Sequence, residues 1–213
     1  MAFPPRIAVA SQNPHKLREI ARICAGWPVE WVTVRDEPQR FPEVEETGDT
    51  YLENASLKAR AVAAALDLPA LADDSGIEVD ALDGRPGVRT RRYAGEDATD
   101  DANNAKLLEA LRGLPPKRRS ARYVCALALA LPDDAGPRGG VPLITVRGTC
   151  RGRIATEPRG NGGFGYDPIF EPASEAPGGR TLGLWTPAEK HAISHRARAA
   201  RRMAPRLAAL GFR

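Results

Sequence analysis

Apolar and polar positions alternate along this chain with two periods, and the switches between them mark out its elements. The run Arg6-Ile-Ala-Val-Ala-Ser11 is short and apolar, which predicts a buried strand. It leads into Asn13-Pro14, after which Leu17, Ile20, Ala21 and Cys24 recur at helical spacing. Asn13 suits an N-cap and Pro14 the first helical position, so the chain opens as strand, tight turn and helix. Residues 29–34 alternate as a second strand. Residues 49–66 form the clearest helix, with Leu52, Ala55, Ala59, Val62 and Leu66 on one face, Thr47 or Asp49 as cap, and Pro69 as stop.

Ala70-Leu-Ala then reads as a short strand ending in a polar turn, Asp73-Asp74-Ser75-Gly76. Residues 77–82 alternate as another strand, closed by Asp83-Gly84 and Arg85-Pro86-Gly87. Residues 99–111 predict a helix with Leu107, Leu108 and Leu111 inward. Residues 121–131 are apolar on both faces, which places that strand centrally in a sheet covered on both sides. Residues 132–142 are rich in Gly, Pro and Asp and read as a hairpin loop, and 143–151 return as the partner strand. Residues 194–210 are helical by composition, with Pro205 placed to kink or split them. Alternating strands and helices followed by a strand pair argue an α/β or α+β fold with a mixed sheet.

Composition narrows the classes. The chain has 213 residues, enough for one large core or two lobes sharing one, and 42% are apolar, interleaved with charge throughout. No apolar run approaches the ~20 residues that span a bilayer, and the first residues are too weakly apolar for a signal peptide. A cytoplasmic protein with no membrane partner is expected. Cys24, Cys125 and Cys150 are far apart, with no Cys-x-x-Cys pair, which speaks against zinc and against a disulfide framework. The formal charge is +4, and no acidic residue follows Glu189, while Lys190, Arg196, Arg198, Arg201, Arg202, Arg206 and Arg213 do. Such a tail suits an anionic partner, nucleotide or nucleic acid, or is a solvated helix face.

Four clusters carry candidate chemistry. Ser11-Gln12-Asn13-Pro14-His15-Lys16 sits at a strand-to-helix turn, where free amides and the helix dipole favour anions. A capped helix with a surface lysine explains the same residues. No Gly-x-x-x-x-Gly-Lys-Ser/Thr run exists, which speaks against P-loop chemistry. Glu45-Glu46 and Asp73-Asp74 offer the hard oxygens that magnesium takes, or are solvated acidic turns. In Gly162-Gly163-Phe164-Gly165-Tyr166-Asp167-Pro168, glycines flank an aromatic that either stacks on a flat ligand or tucks into the core. Glu189-Lys190 and Ser194-His195-Arg196 put cations in the first turn of a helix, against its dipole, which an anion or carbonyl oxygen nearby would offset.

Together the segments SQNPHKLREI, EETGDTYLENASLKA, ADDSG, GRPGV, RYAGEDATD, GGFGYDPIF and EKHAISHR resemble, in order and spacing, the inosine/xanthosine triphosphate pyrophosphatase family. The resemblance runs from Ile7 to about Leu210. It implies an α/β fold built on a long mixed sheet flanked by helices, one domain over 1–213, in two lobes with the active cleft between them. It implies a homodimer that hydrolyses deaminated purine triphosphates (ITP, dITP, XTP) to the monophosphate and pyrophosphate, with Mg2+ and without a nucleic-acid partner. Ser11, Gln12, Asn13, Pro14, His15 and Lys16 are then the phosphate turn. Glu45 and Asp74 serve the metal, and Asp74 is the catalytic proton acceptor. Ser75 touches substrate, and Phe164, Gly165, Tyr166, Asp167, Lys190, His195 and Arg196 form the base pocket. The chain departs from the family pattern at Gln12, where a glycine is usual, at Thr90-Arg91-Arg92, which adds a cation, and in the longer loop at 132–142.

Overall fold

The computed structural model describes residues 5–132 and 143–212. It is an α/β protein on one six-stranded mixed sheet. The strands are β1 (Arg6–Val9), β2 (Glu30–Val32), β3 (Ala70–Val79), β4 (Ser120–Ala130), β5 (Leu143–Ile154) and β6 (Phe170–Pro172). The helices are α1 (Pro14–Ile23), α2 (Tyr51–Leu66), α3 (Asp100–Ala110), α4 (Pro187–Ile193) and α5 (His195–Ala209). The sheet order is β2-β1-β3-β4-β5-β6. β1 runs parallel to β2 and to β3, while β5 and β6 are antiparallel.

The chain divides into two compact units. The first holds residues 1–74, 125–148 and 198–213, and the second holds 75–124 and 149–197. In the first, Ile7 and Val9 of β1, Leu71 of β3 and Cys125, Leu127 and Leu129 of β4 pack with Ile20 and Cys24 and with Ala199, Met203 and Leu207 of α5. Strand alternation turns Ala8, Ala70 and Ala72 to the other face. These residues, and Ala55, Ala59 and Ala63 of α2, are almost wholly buried. α2 lies against β1, and small residues on both elements allow a close approach. In the second unit, Ile77, Val79, Leu107, Leu111, Tyr123, Ile154, Tyr166, Ile169 and Phe170 form the core.

Several expectations are corrected here. The acidic segment at 73–76 is not a turn between two strands: β3 passes straight through it, with Asp73 1% and Asp74 6% exposed. Both aspartates lie inside the sheet because lysines distant in sequence compensate them, as described below. α2 is capped by Thr50, whose hydroxyl accepts from Glu53 N while Glu53 bonds back, rather than by Thr47 or Asp49. The expected face is buried at Ala55, Ala59, Val62 and Leu66, but in the first turn Tyr51 is the buried residue and Leu52, expected inward, is 44% exposed. Pro205 lies inside α5 without splitting it. Met203 and Leu207 on either side of it are buried in the core, and that burial holds the last turns. The central strand, the α3 span and the strand at 143–154 agree with the sequence reading. Most of the loop expected at 132–142 lies outside the described residues.

Candidate active site

The phosphate-turn candidates sit where β1 ends and α1 begins. Asn13 caps α1: its Oδ1 accepts from His15 N at 2.9 Å and Lys16 N at 3.4 Å, and its own amide donates to Ser11 Oγ at 3.3 Å. Two amides expected to face a ligand are therefore taken by the cap, and an anion here meets side chains first. Gln12, Pro14 and His15 are exposed, while Ser11, Asn13 and Lys16 are half-buried. His15 Nδ1 lies 3.1 Å from Arg18 Nη2. Lys16 reaches back to Asp73, Nζ to Oδ2 3.3 Å.

Asp73 and Asp74 follow one another along a strand, so their side chains leave on opposite faces. Asp73 meets Lys16 of α1. Asp74 meets α2, where its Oδ2 accepts from Asn54 Nδ2 at 3.3 Å and its Oδ1 lies 3.8 Å from Lys58 Nζ. Lys58 is shared, since its Nζ also donates to Glu46 Oε1 at 2.6 Å. Burial pushes the Asp74 carboxyl above the usual carboxylate range, and the two lysines only partly counter this. Burial works against the Lys58 charge, yet Asp74, Asp73 and Glu46 outweigh it and hold Lys58 above its ordinary value. Burial also acts to raise Glu46, but Lys58 prevails and lowers it. The result is an alternating cluster of carboxylates and ammoniums in a low-dielectric setting.

Glu45 is exposed, and of the pair at 45–46 it is Glu46 that turns to the lysine. Sequence reasoning missed Lys58 and Asn54. Their signal was the four-residue spacing on one face of α2, each turned to β3.

The aromatic loop lies in the second unit. Asp167, 1% exposed, is its keystone: Oδ2 accepts from Lys190 Nζ at 2.6 Å and from Phe164 N at 3.0 Å, and Oδ1 accepts from Tyr123 OH at 3.2 Å. Gly163 has φ +77°, and a Cβ there would collide with the Asp167 carboxylate, so this turn requires glycine. Lys190 Nζ lies 4.7 Å from the centre of the half-buried Phe164 ring. Tyr166 is core: its ring is buried and its hydroxyl donates to Thr90 O at 2.8 Å. Gly165 joins these two aromatics.

The remaining base-pocket candidates cluster at the junction of α4 and α5. Ser194 ends α4 and caps α5, accepting from Ala197 N at 3.2 Å. His195 stacks on the Tyr123 ring, with centres 4.8 Å apart and planes 8° from parallel. Arg196, 1% exposed, donates from Nη2 to Ser75 Oγ at 3.0 Å. Tyr123 thus touches both Asp167 and His195, although its sequence context read only as core strand.

A model of the Ham1 family matches residues 7–206. The chain belongs to the Ham1 family. It is 49% identical over 193 residues to the dITP/XTP pyrophosphatase of Geobacillus kaustophilus, covering 91% of this chain and 89% of that one. It is 48% identical over 210 residues to the dITP/XTP pyrophosphatase of Nocardia farcinica, covering 98% and 97%. Among solved structures, a HAM1 protein from Coxiella burnetii superposes with TM-score 0.82 at 41% identity, covering 96% of this chain and 98% of that one. A dITP/XTP pyrophosphatase from Mycobacterium abscessus superposes at 0.73 with 43% identity, covering 94% and 99%. The mixed sheet with its helices is therefore the Ham1 fold. No helix among the described residues is long and apolar enough to cross a membrane.

Proposed function

We propose that this Ham1-family chain hydrolyses deaminated purine nucleoside triphosphates, dITP, ITP and XTP, to the monophosphate and pyrophosphate. The carrying observation is near-full-length identity of 48–49% to relatives named for that reaction. The charged cluster around Asp74 supports it.

Cutting between the α- and β-phosphates needs a water aimed at the α-phosphorus and positive charge on the leaving pyrophosphate. Lys16 supplies charge, and Ser11, Gln12, Asn13, Pro14 and His15 frame the phosphates with side-chain contacts. Asp74 accepts the proton of the attacking water, and Asn54 and Lys58 fix the orientation of its carboxylate. Glu45, Glu46, Asp73 and Asp74 are hard oxygen donors of the kind Mg2+ takes. Mg2+ is usually held by one or two carboxylates together with substrate phosphates. Asp74 and Glu45 are the proposed ligands, and the ion when bound adds neutralising charge at the phosphates.

Phe164 offers a stacking face for the base, with Gly165 and Tyr166 completing the turn and Asp167 and Lys190 holding it. His195 and Arg196, beside Ser75, are donors suited to the C6 carbonyl of hypoxanthine or xanthine. Adenine presents an amino donor there, which leaves donor facing donor and is rejected. We assign the protein to the reducing cytoplasm, and its three cysteines, Cys24, Cys125 and Cys150, are buried. A homodimer, the family's implied state, is checked by sedimentation. The reaction is tested by pyrophosphate release from ITP, XTP, ATP and GTP, with magnesium and with EDTA. Metal-dependent release from ITP and XTP and none from ATP is expected, while GTP, which also carries a C6 carbonyl, reports on discrimination at the 2-amino group. Release from all four removes the specificity argument, and release from none removes the enzyme.

A further inference from the structure

Helix α3 carries no residue of the proposed site, yet it grips the aromatic loop. Gly165, between Phe164 and Tyr166, has φ +64°. Its amide donates to Asp100 Oδ2 at 2.6 Å, and its carbonyl accepts from Asn104 Nδ2 at 3.1 Å. Asp100 and Asn104 are four residues apart and so share one face of α3. The next residues of the helix hold a second segment: Asn103 bonds Ala94 N at 2.8 Å and Arg91 O at 2.9 Å, and Lys106 bonds Tyr93 O at 2.6 Å.

We propose that the Asp100–Asn104 pair is a positioning and specificity device. It fixes the Gly165 peptides and thereby sets the Phe164 ring against which a purine base is read. The inference rests on the reading of Phe164 as the base platform. A glycine in the left-handed region has neighbouring conformations open to it at little cost, and a Cβ at this position would meet nothing within 4 Å, so local packing does not restrain it. The two bonds from α3 do. A loop ordered before the ligand arrives is spared that ordering on binding, which favours the ligand that fits it.

Asn104 shows what the pair is for. It is 4% exposed, and its Oδ1 has no hydrogen-bond partner among the described residues. A buried amide oxygen without a partner is a net cost to folding, and leucine would fill the same volume without it. The residue therefore contributes position rather than stability.

The test compares wild type with Asn104→Leu, Asp100→Ala and Asp100→Asn, reading kcat and KM for ITP and ATP, inhibition by pyrophosphate, and melting temperature. Asn104→Leu and Asp100→Ala are expected to raise KM for ITP about 10-fold, as for loss of one good hydrogen bond. Discrimination against ATP falls in parallel. In both variants kcat and pyrophosphate inhibition stay within about 2-fold, a change of only ~0.4 kcal/mol, and Asn104→Leu melts no lower than wild type. Asp100→Asn keeps an acceptor oxygen and returns KM toward wild type. Unchanged KM and discrimination in Asn104→Leu overturn the proposal, as does a joint fall of kcat and melting temperature, which marks a structural role. If Phe164→Ala leaves discrimination intact, the platform reading fails instead. A wild type that turns over no triphosphate overturns both.

Discussion

The two units solve opposite problems with opposite materials. In the first, formal charges are forced together: Asp73, Asp74 and Glu46 share Lys16 and Lys58 within 2.6–3.8 Å, around a strand buried on both faces. In the second, the loop from Gly163 to Asp167 is held largely through its backbone, by Asp167, Asp100 and Asn104, around one half-buried ring. The first arrangement is strained electrostatically and suits a site that must meet a highly charged ligand. The second is ordered geometrically and suits a site that must tell one flat ring from another. In the proposed function, charge does the chemistry, and a ring platform with fixed hydrogen-bond donors does the choosing.

Substitutions that damage one function and spare the other sharpen that comparison. The largest effect belongs to Asp74→Asn. It removes the proposed proton acceptor and should lower kcat by about 10³-fold, within the range of general-base contributions, with far-ultraviolet circular dichroism unchanged. Loss of less than about 10-fold, roughly 1.4 kcal/mol, assigns the role elsewhere. Next comes Lys58→Met, which leaves buried Asp74 and half-buried Glu46 without their shared cation. Denaturant titration without metal should show a loss of about 3 kcal/mol, as for a buried pair stripped of one partner, and magnesium should restore part of it. A stability within error of wild type would show that the cluster is solvated and that the contrast between the units is overstated. The smallest effect is Phe164→Ala. It should weaken ITP binding by about 10-fold, the value of one base-stacking contact, and lower selectivity over ATP because the base loses the register in which His195 and Arg196 read its C6 oxygen, with kcat nearly unchanged. A change in kcat without a change in selectivity would move the ring into the phosphate chemistry.

The same contrast explains what could be read from sequence. Regular patterns announced themselves: the central strand at 120–130 is apolar on both faces, and α1 opens on Asn13-Pro14 as expected. The second site was also legible, because glycines around an aromatic and cations opening a helix are local anomalies. The first site was misjudged in its backbone. Four polar residues, Asp73 to Gly76, look like a turn unless Lys16 and Lys58 are known to lie against them, and those lysines come from helices far away in sequence. Glu45 and Glu46 are equivalent by pattern, and only the fold turns Glu46 to Lys58. Leu52 fits the helical stripe of Ala55, Ala59, Val62 and Leu66, yet in the first turn of α2 it is Tyr51 that is buried and Leu52 that is exposed. Asp100 and Asn104 read as ordinary helix-start polar residues, since nothing local reveals that Gly165 sits against them.

The central claim is that cutting and choosing belong to different residue sets. It is tested most directly by measuring kcat and KM for ITP and ATP with wild type, Asp74→Asn and Phe164→Ala side by side. The account predicts that Asp74→Asn loses kcat for both nucleotides in proportion and keeps their ratio of kcat/KM, while Phe164→Ala keeps kcat for ITP and loses the ratio. Variants that each lose rate and selectivity together would contradict it.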